Sequence, residues 1–269
     1  ITANIPDSYT HLLHSYITHR KFQVKLAGIL TESFPIKAGV PQGSVLAPAL
    51  YNLYTADIPT SRHIMTAQYA DDTAIYTTND NIHNATDRIQ RHLEKLTTWF
   101  SKWRIKLNSE KTESIIFTRR RPRNITQLTI NNRPIEYKDK IKYLGIIMDK
   151  KLTYENHIKY TRAKTTRRLR QLFPVLTTNK LTIKQKLTLY KCLILPVILY
   201  ASPAWGHAAT THLKMLQTIQ NKIARITTGA DRYTRITQLH EDLDLQYIHD
   251  IIKEHANRTK LKYTTHTNK

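Results

Sequence analysis

Cysteine is almost missing from this chain of 269 residues: Cys192 stands alone, which excludes an internal disulfide framework and any cysteine-rich zinc module and fits a reducing intracellular compartment. Long apolar runs are missing too. The longest, Cys192 to Ala201, is too short for a bilayer span. No charged, apolar and small-residue succession of a secretory signal opens the sequence, so the glycosylation-type triplets at Asn84, Asn124 and Asn257 carry no weight and a soluble protein is expected. Glycine is scarce, six residues in all. Acidic residues are outnumbered, twenty against forty-two Lys and Arg, and the resulting +22 is spread along the chain. Such an excess attracts a polyanion, most commonly nucleic acid; the plainer reading is a merely basic soluble protein. The thirteen histidines are scattered, and neither His11 with His14 nor His207 with His212 has the Glu or Cys neighbours of a metal site.

What is present begins with 40% hydrophobic residues, enough for a substantial core in one large domain or two. Residue 1 is Ile, not Met, which leads us to expect a piece of a longer protein.

The stretch that organises the chain is Tyr69, Ala70, Asp71 and Asp72, flanked by Ile64, Met65 and Ala67 before and by Ala74, Ile75 and Tyr76 after. Two strand-like runs around an acidic pair predict a β-hairpin with its charge at the bend. Unit charges about 4 Å apart repel by roughly 4 kcal/mol at an effective dielectric near 20, so a half-buried pair needs a proton or a cation. Hard oxygen donors favour magnesium, whose sites beside phosphates often use one or two carboxylates. Alone, the dipeptide favours the plainer alternative of an exposed turn with both carboxylates in water.

Ahead of it, Pro6 and Asp7 open a short helix with an apolar face of Tyr9, Leu12, Leu13, Tyr16 and Ile17, expected to pack in the core. Phe22 to Leu26 and a run from Gly28 to Ile36 read as a strand pair. Then Ala38 to Pro48, containing Gly39, Pro41, Gln42 and Gly43, leads into a helix with Leu50, Leu53 and Tyr54. A glycine-bounded loop feeding a helix can present backbone amides to a ligand, although it lacks P-loop spacing and an ordinary turn explains it too.

Beyond the pair, apolar residues from Ile82 to Trp103 recur every three or four positions and predict a long amphipathic helix lying on a sheet. Asn108 and Ser109 stop it. Strands are expected at Ile115 to Phe117, with Lys111 just ahead, at Leu128 to Ile130 before a turn at Asn131 and Asn132, and at Ile141 to Met148. The basic run Arg119, Arg120, Arg121 and Arg123 lies between the first two. After Leu152 the patterns are helical: Tyr154 to Phe173, Ile183 to Leu195, His212 to Thr227 and Thr234 to His255, punctuated by Pro174, Pro196 and Gly229. The composition shift near residue 150 is the candidate domain boundary. The first of these helices carries Lys159, Arg162, Lys164, Arg167, Arg168 and Arg170 with no acid among them, a pattern that suits an anionic partner or a solvated face.

In this order the segments resemble the reverse transcriptases of non-LTR (LINE-type, jockey-like) retrotransposons. Gly39 to Pro48 is similar to that family's motif B, Tyr69 to Asp72 to motif C, and Trp103 to Phe117 with Lys111 to motif D. Tyr143 to Gly145, followed by Asp149, Leu152 and His157, resembles motif E and the start of the thumb. Leu189 to Trp205, with Tyr200 and Trp205, and Gln220 to Gly229, with Arg225 and Gly229, resemble the helical region that follows.

The resemblance implies an α+β fold: part of a right-hand polymerase palm, an antiparallel sheet with packed helices, over 1–149, and an all-helical thumb and following region over 150–269. It implies an RNA-directed DNA polymerase using two magnesium ions for nucleotidyl transfer, with an RNA template, a DNA primer and deoxynucleoside triphosphates as partners, no membrane, and action in the nucleus. Asp71 would be the principal metal ligand and Asp72 the secondary one. Lys111 would be a general acid for pyrophosphate. Gly39, Pro41, Gln42, Gly43 and Tyr69 would line the nucleotide and template pocket, Tyr143, Leu144 and Gly145 would form the primer grip, and the six cations from Lys159 to Arg170 would follow the nucleic-acid backbone. The family's motif A, with its metal-binding Asp, and its fingers are expected ahead of residue 1; Asp7 and Asp57 lack that motif's context. The two-metal site is therefore expected to be incomplete here and the isolated chain inactive. The alternative is a non-catalytic nucleic-acid-binding remnant that keeps the fold.

Overall fold

The computed structural model describes residues 6–120 and 125–265; Arg121 and Arg123 of the basic run lie outside them. Two compact units interleave along the sequence. The first takes the described residues of Ile1–Thr112 and Pro122–Glu136, the second those of Glu113–Arg121 and Tyr137–Lys269. Every sheet among the described residues is a two-stranded antiparallel ladder.

The first unit begins with α1 (Asp7–Ile17), whose first turn carries Asp7, the favoured sign at a helix N-terminus. Its apolar face is not buried: Leu12 is 62% exposed and the helix contains no buried residue. The expectation of a core helix is therefore corrected, because no described element covers that face. The strand pair that follows is broken in two, β1 (Lys21–Phe22) with β4 (Phe34–Pro35) and β2 (Lys25–Leu26) with β3 (Ile29–Leu30). Between the two ladders Thr31 bridges to Val24, its Oγ1 accepting from the Val24 N–H at 3.0 Å and its own N–H donating to the Val24 carbonyl at 3.0 Å.

Helix α2 (Ala47–Tyr54) leads to the hairpin of β5 (Met65–Tyr69) and β6 (Asp72–Tyr76), in register from Met65 opposite Tyr76 to Tyr69 opposite Asp72. Helix α3 (Ile82–Lys102) starts at Asn81, whose side chain accepts from the His83 N–H at 2.8 Å, a cap that supplies one of the helix's orphan donors. Its three-to-four spacing buries Leu93, Leu96, Trp99 and Phe100. Ile75 of β6 packs against that cluster with Ile58, Trp103, Ile105 and Leu107. The helix thus buries the apolar face that its periodicity predicts, with Ile75 of the hairpin among the residues that cover it. Asn131 and Asn132, at φ +50° and +61°, form the expected turn between β7 (Thr129–Ile130) and β8 (Arg133–Pro134).

In the second unit the predicted strand Ile115 to Phe117 is not formed. That segment belongs to no ladder; beside it Ser114 forms a bridge with Tyr137, and the Thr118 N–H donates to the Lys150 carbonyl at 3.0 Å. The single strand expected over Ile141 to Met148 folds back on itself as β9 (Lys140–Tyr143) and β10 (Ile146–Asp149). Leu144 at φ +44° and Gly145 at φ +80° make the two-residue bend, a left-handed pair that a continuous strand cannot contain.

Helix α4 (Glu155–Thr177) runs through Pro174 instead of ending there. Below it, Thr182 and Gln185 form a reciprocal capping box at the start of α5 (Ile183–Leu189). The chain continues through a π-helical turn, Tyr190–Ile194, into α6 (Leu195–Leu199), so the predicted helix Ile183 to Leu195 is longer and irregular. After α7 (Ser202–Trp205), α8 (Thr210–Thr228) ends at Gly229, φ +69°. The helix expected over Thr234 to His255 is two helices, α9 (Ile236–Asp242) and α10 (Ile248–Thr265). Asp244 at φ +47° breaks them apart, and the break lets Leu243, Leu245 and Ile248 all reach the core.

That core is continuous. Ile158, Leu176, Ile194, Ile198, Trp205, Leu216 and Ile223 are fully buried in it, each such side chain contributing about 1.5–3 kcal/mol. Gln220 crosses it, donating to the Tyr190 hydroxyl at 3.1 Å and the Gln246 carbonyl at 2.9 Å. Among the described residues no helix is long and apolar enough to cross a membrane.

Candidate active site and nucleic-acid surface

The β5–β6 ladder runs to its last pair, Tyr69 opposite Asp72, and leaves Ala70 and Asp71 as the bend, with Ala70 at φ +52°. Asp71 therefore stands at the tip and Asp72 opens the returning strand. Both carboxylates are exposed, as is Tyr69. The tip thus has the exposed form that the dipeptide alone favours: water screens the repulsion, and folding alone demands no proton or cation. Helix α2 brings one group to this tip that sequence reasoning overlooked. The Tyr51 hydroxyl is raised above the ordinary tyrosine pKa by burial first, then by the negative charge of Asp71, then by Tyr54. Its position three residues before Tyr54, on the same side of the helix, was the available signal.

The residues fit a hard cation only as part of a site. Two adjacent carboxylates offer oxygen donors of the kind magnesium takes. Among the described residues no three His, Cys, Asp or Glu side chains gather into a metal-binding group. Asp57 has a structural role, since its Oδ1 accepts from the Trp99 indole N–H at 3.2 Å.

In the loop before α2, Gly39 and Gly43 have φ of +80° and +82°. A Cβ at either would meet nothing within 4 Å, so glycine is required there by backbone conformation and not by crowding. Pro41 is half-buried and Gln42 exposed. The Ser44 Oγ accepts from the Ala47 N–H at 3.2 Å and ties the loop to the helix. Arg20, also overlooked in the sequence, donates its guanidinium to the carbonyls of Gly39 and, at 3.4 Å, Ala38, while its Nε reaches Ile17 at 3.0 Å. Lys111 is exposed on a turn after α3, its N–H bonded to the Asn108 carbonyl and Oδ1, each at 3.2 Å.

In the second unit Tyr143, Leu144 and Gly145 form the tip of the β9–β10 hairpin. Strand β10 ends on Asp149, whose carboxylate accepts from the N–H groups of Lys151, Thr153 and Tyr154 and from the Thr153 hydroxyl, at 2.8–3.2 Å. Partial burial pushes this carboxyl up, but the four hydrogen bonds outweigh it and hold its pKa below the usual carboxylate value. They also fix the start of α4. That helix buries His157, Ile158, Thr161, Thr165 and Leu169 along one side, which turns Lys159, Arg162, Lys164, Arg167, Arg168 and Arg170 to solvent. Glu155 pairs with Lys159 at 2.5 Å, and no acid follows before Arg170. A helix with one face in a core and the rest cationic suits a phosphate backbone.

The chain matches the family described as reverse transcriptase (RNA-dependent DNA polymerase) over residues 2–148, and it belongs to that family. It is similar to the "RNA-directed DNA polymerase from mobile element jockey" of Drosophila funebris, 35% identical over 96% of the chain and 29% of that protein. It is similar to the "Probable RNA-directed DNA polymerase from transposon X-element" of Drosophila melanogaster, 34% identical over 100% of the chain and 30% of that protein. The jockey polymerase of Drosophila melanogaster is 32% identical over 98% of the chain and 30% of its own length. The chain thus spans about 30% of the length of the curated relatives it matches. No solved structure matches it.

Proposed function

We propose that the chain is the palm part and helical thumb of an RNA-directed DNA polymerase from a non-LTR, jockey-like retrotransposon, which extends a DNA primer on an RNA template with deoxynucleoside triphosphates. The observation that carries this reading is the exposed Asp71 and Asp72 at the bend of an antiparallel hairpin, in a chain of the reverse transcriptase family. In this reading 1–149 serve as the palm part and 150–269 as the thumb and the helices after it.

Asp71 and Asp72 would hold magnesium, which when bound supplies Lewis-acid activation of the primer oxygen and charge neutralisation at the triphosphate. The chain's own residues orient the reactants. Tyr69 lies beside the acidic tip on β5, and the Gly39–Gly43 loop, braced by Arg20, offers a backbone that a nucleotide can approach. Lys111 is placed on an exposed turn from which a proton can be given to leaving pyrophosphate. The β9–β10 tip contacts the primer end, and the cations of α4 bind phosphates without reading sequence.

A two-metal centre draws on more carboxylates than this pair, so a further part of the proposal is that this chain alone does not polymerise. The second reading is a nucleic-acid-binding remnant without chemistry, for which the cationic face of α4 would suffice. Primer extension on an RNA template with magnesium separates them. The isolated chain gives no product in either reading, and product from it alone contradicts the incomplete site. Joined to the rest of its polymerase, the chain supports extension in the first reading only. Both readings require binding to an RNA–DNA duplex that weakens with salt, at a log-log slope near −3.6 for four phosphate contacts at about −0.9 each.

A further inference from the structure

The tip of the β9–β10 hairpin is held from behind by the helical region. Tyr200, just after α6, donates its hydroxyl to the Leu144 carbonyl at 2.9 Å. Its ring lies so close to Gly145 that a Cβ there would come within 3.1 Å of Cε1. Glycine at this position therefore answers two demands, a left-handed φ and the approach of an aromatic edge. Tyr200 is itself fixed, because its carbonyl accepts from the indole N–H of Trp205 at 2.9 Å. Trp205 is fully buried and packs at 5.5 Å, ring centre to ring centre, against His157 of α4. The His157 Nδ1 in turn accepts from the Ile147 N–H at 3.3 Å.

This last contact closes a ring of interactions. Across the two-residue bend Tyr143 faces Ile146, so Lys142 opposite Ile147 is the next, non-hydrogen-bonded pair, and the Ile147 N–H points out of the ladder. His157 satisfies that amide while Tyr200 satisfies the carbonyl at the tip. The hairpin is gripped at both points by side chains of one connected set, Tyr200, Trp205 and His157. A two-stranded hairpin is marginal alone, so its tip has a defined position only if something external supplies one.

We propose that Tyr200 is a positioning residue for nucleotide addition, which locks the Leu144–Gly145 turn so that its backbone meets the primer 3′ end in one geometry. This rests on the reading of Tyr143 to Gly145 as the primer-contacting turn. Tyr200 touches neither primer nor nucleotide in this account and acts through the turn.

The test pairs two readouts on Tyr200→Phe, which keeps the ring over Gly145 and removes only the hydroxyl, and on Tyr200→Ala, which removes both. Amide exchange of this chain reports the clamp. Loss of one hydrogen bond at the tip accelerates exchange at Gly145 and Ile146 about five- to tenfold in the Phe variant and more in the Ala variant, while amides of α8 keep their protection. Unchanged exchange at the tip in both variants overturns the clamp. In the complete polymerase carrying this chain, Tyr200→Phe lowers kcat for single-nucleotide addition about tenfold, with KM for the nucleotide and Kd for the duplex unchanged. A merely structural role would instead lower the active fraction at constant kcat, and that result overturns the proposal. Faster exchange with unaltered addition also overturns the positioning role and shows that the turn is not the primer contact. A wild-type polymerase that extends no primer refutes the polymerase reading instead, and the exchange result still decides the clamp.

Discussion

The two units bury their apolar residues very differently. In the helical unit Ile198, Leu216 and Ile223 have no exposed surface, and one cluster runs from Tyr154 to Ile252. In the unit that carries the acidic hairpin, Leu26 is 77% exposed and Val45 94%, and Phe22, Ile29 and Phe34 are exposed as well. Its buried apolar residues are Leu93, Leu96, Trp99 and Phe100 of α3 and Leu128, Ile130 and Ile135 around β7 and β8. The helical unit buries its apolar side chains within itself, while the hairpin unit leaves apolar side chains of the kind used in interfaces exposed. The division suits a molecule whose grip must be rigid and whose chemistry is set on short ladders and loops.

Core truncations break this comparison most severely. Leu216→Ala costs about 3–4 kcal/mol by removing a fully buried side chain, measured as a fall in the denaturant midpoint. Leu26→Ser changes the stability read from that midpoint by less than about 0.5 kcal/mol, because the side chain is mostly exposed. Equal costs for the two would erase the distinction between the units.

Polar substitutions come next. Gln220→Leu leaves the Tyr190 hydroxyl and the Gln246 carbonyl without their partner inside the core and costs about 2 kcal/mol. Asp149→Ala removes four hydrogen bonds from the start of α4 and costs about 1–2 kcal/mol by the same denaturation measurement. The Asp149 carboxyl is depressed in the folded state, so its stabilising effect is present above the ordinary carboxylate value and is lost as pH falls through the folded one.

Mild acid gives the smallest effect and treats the two units alike. His157 in one and His92 in the other are buried, and each is held below the ordinary histidine pKa by that burial, with Lys95 adding to the effect at His92. A lowered folded pKa means that the unfolded chain takes up protons first. Stability is then complete above about pH 6.5 and declines as pH falls toward the folded values, a slope that His157→Gln should flatten.

Several elements were legible because local sequence and final packing agree. The periodicity from Ile82 to Trp103 had one apolar face to bury, the Asn131–Asn132 pair had an evident turn, and the acidic hairpin had strand-like runs on both sides. Other elements depended on partners distant in sequence. Ile115 to Phe117 has strand composition but no ladder to join, and α1 has a core pattern but no described cover. The fold-back at Leu144 was hidden because Leu in a left-handed conformation has no local signature; Tyr200, 56 residues later, bonds the carbonyl of that same residue. Pro174 does not end α4, and Asp244, with no punctuating residue beside it, does separate α9 from α10. At the site, the carboxylates and the basic face could be read from residue type. Arg20, Tyr51 and Tyr200 act through contacts with other segments that only the structure reveals.

In the proposed polymerase, chemistry belongs to the hairpin unit and grip to the helical one. The direct measurement compares Asp71→Asn with the double substitution Arg162→Ala and Arg167→Ala in the complete polymerase, following both primer extension and duplex binding across a salt series. The account predicts that Asp71→Asn reduces extension at least about 10³-fold while duplex Kd and its salt slope stay unchanged. The arginine pair should weaken binding and reduce the salt slope by about two, with extension recovered at saturating duplex. Extension that survives Asp71→Asn would contradict the account.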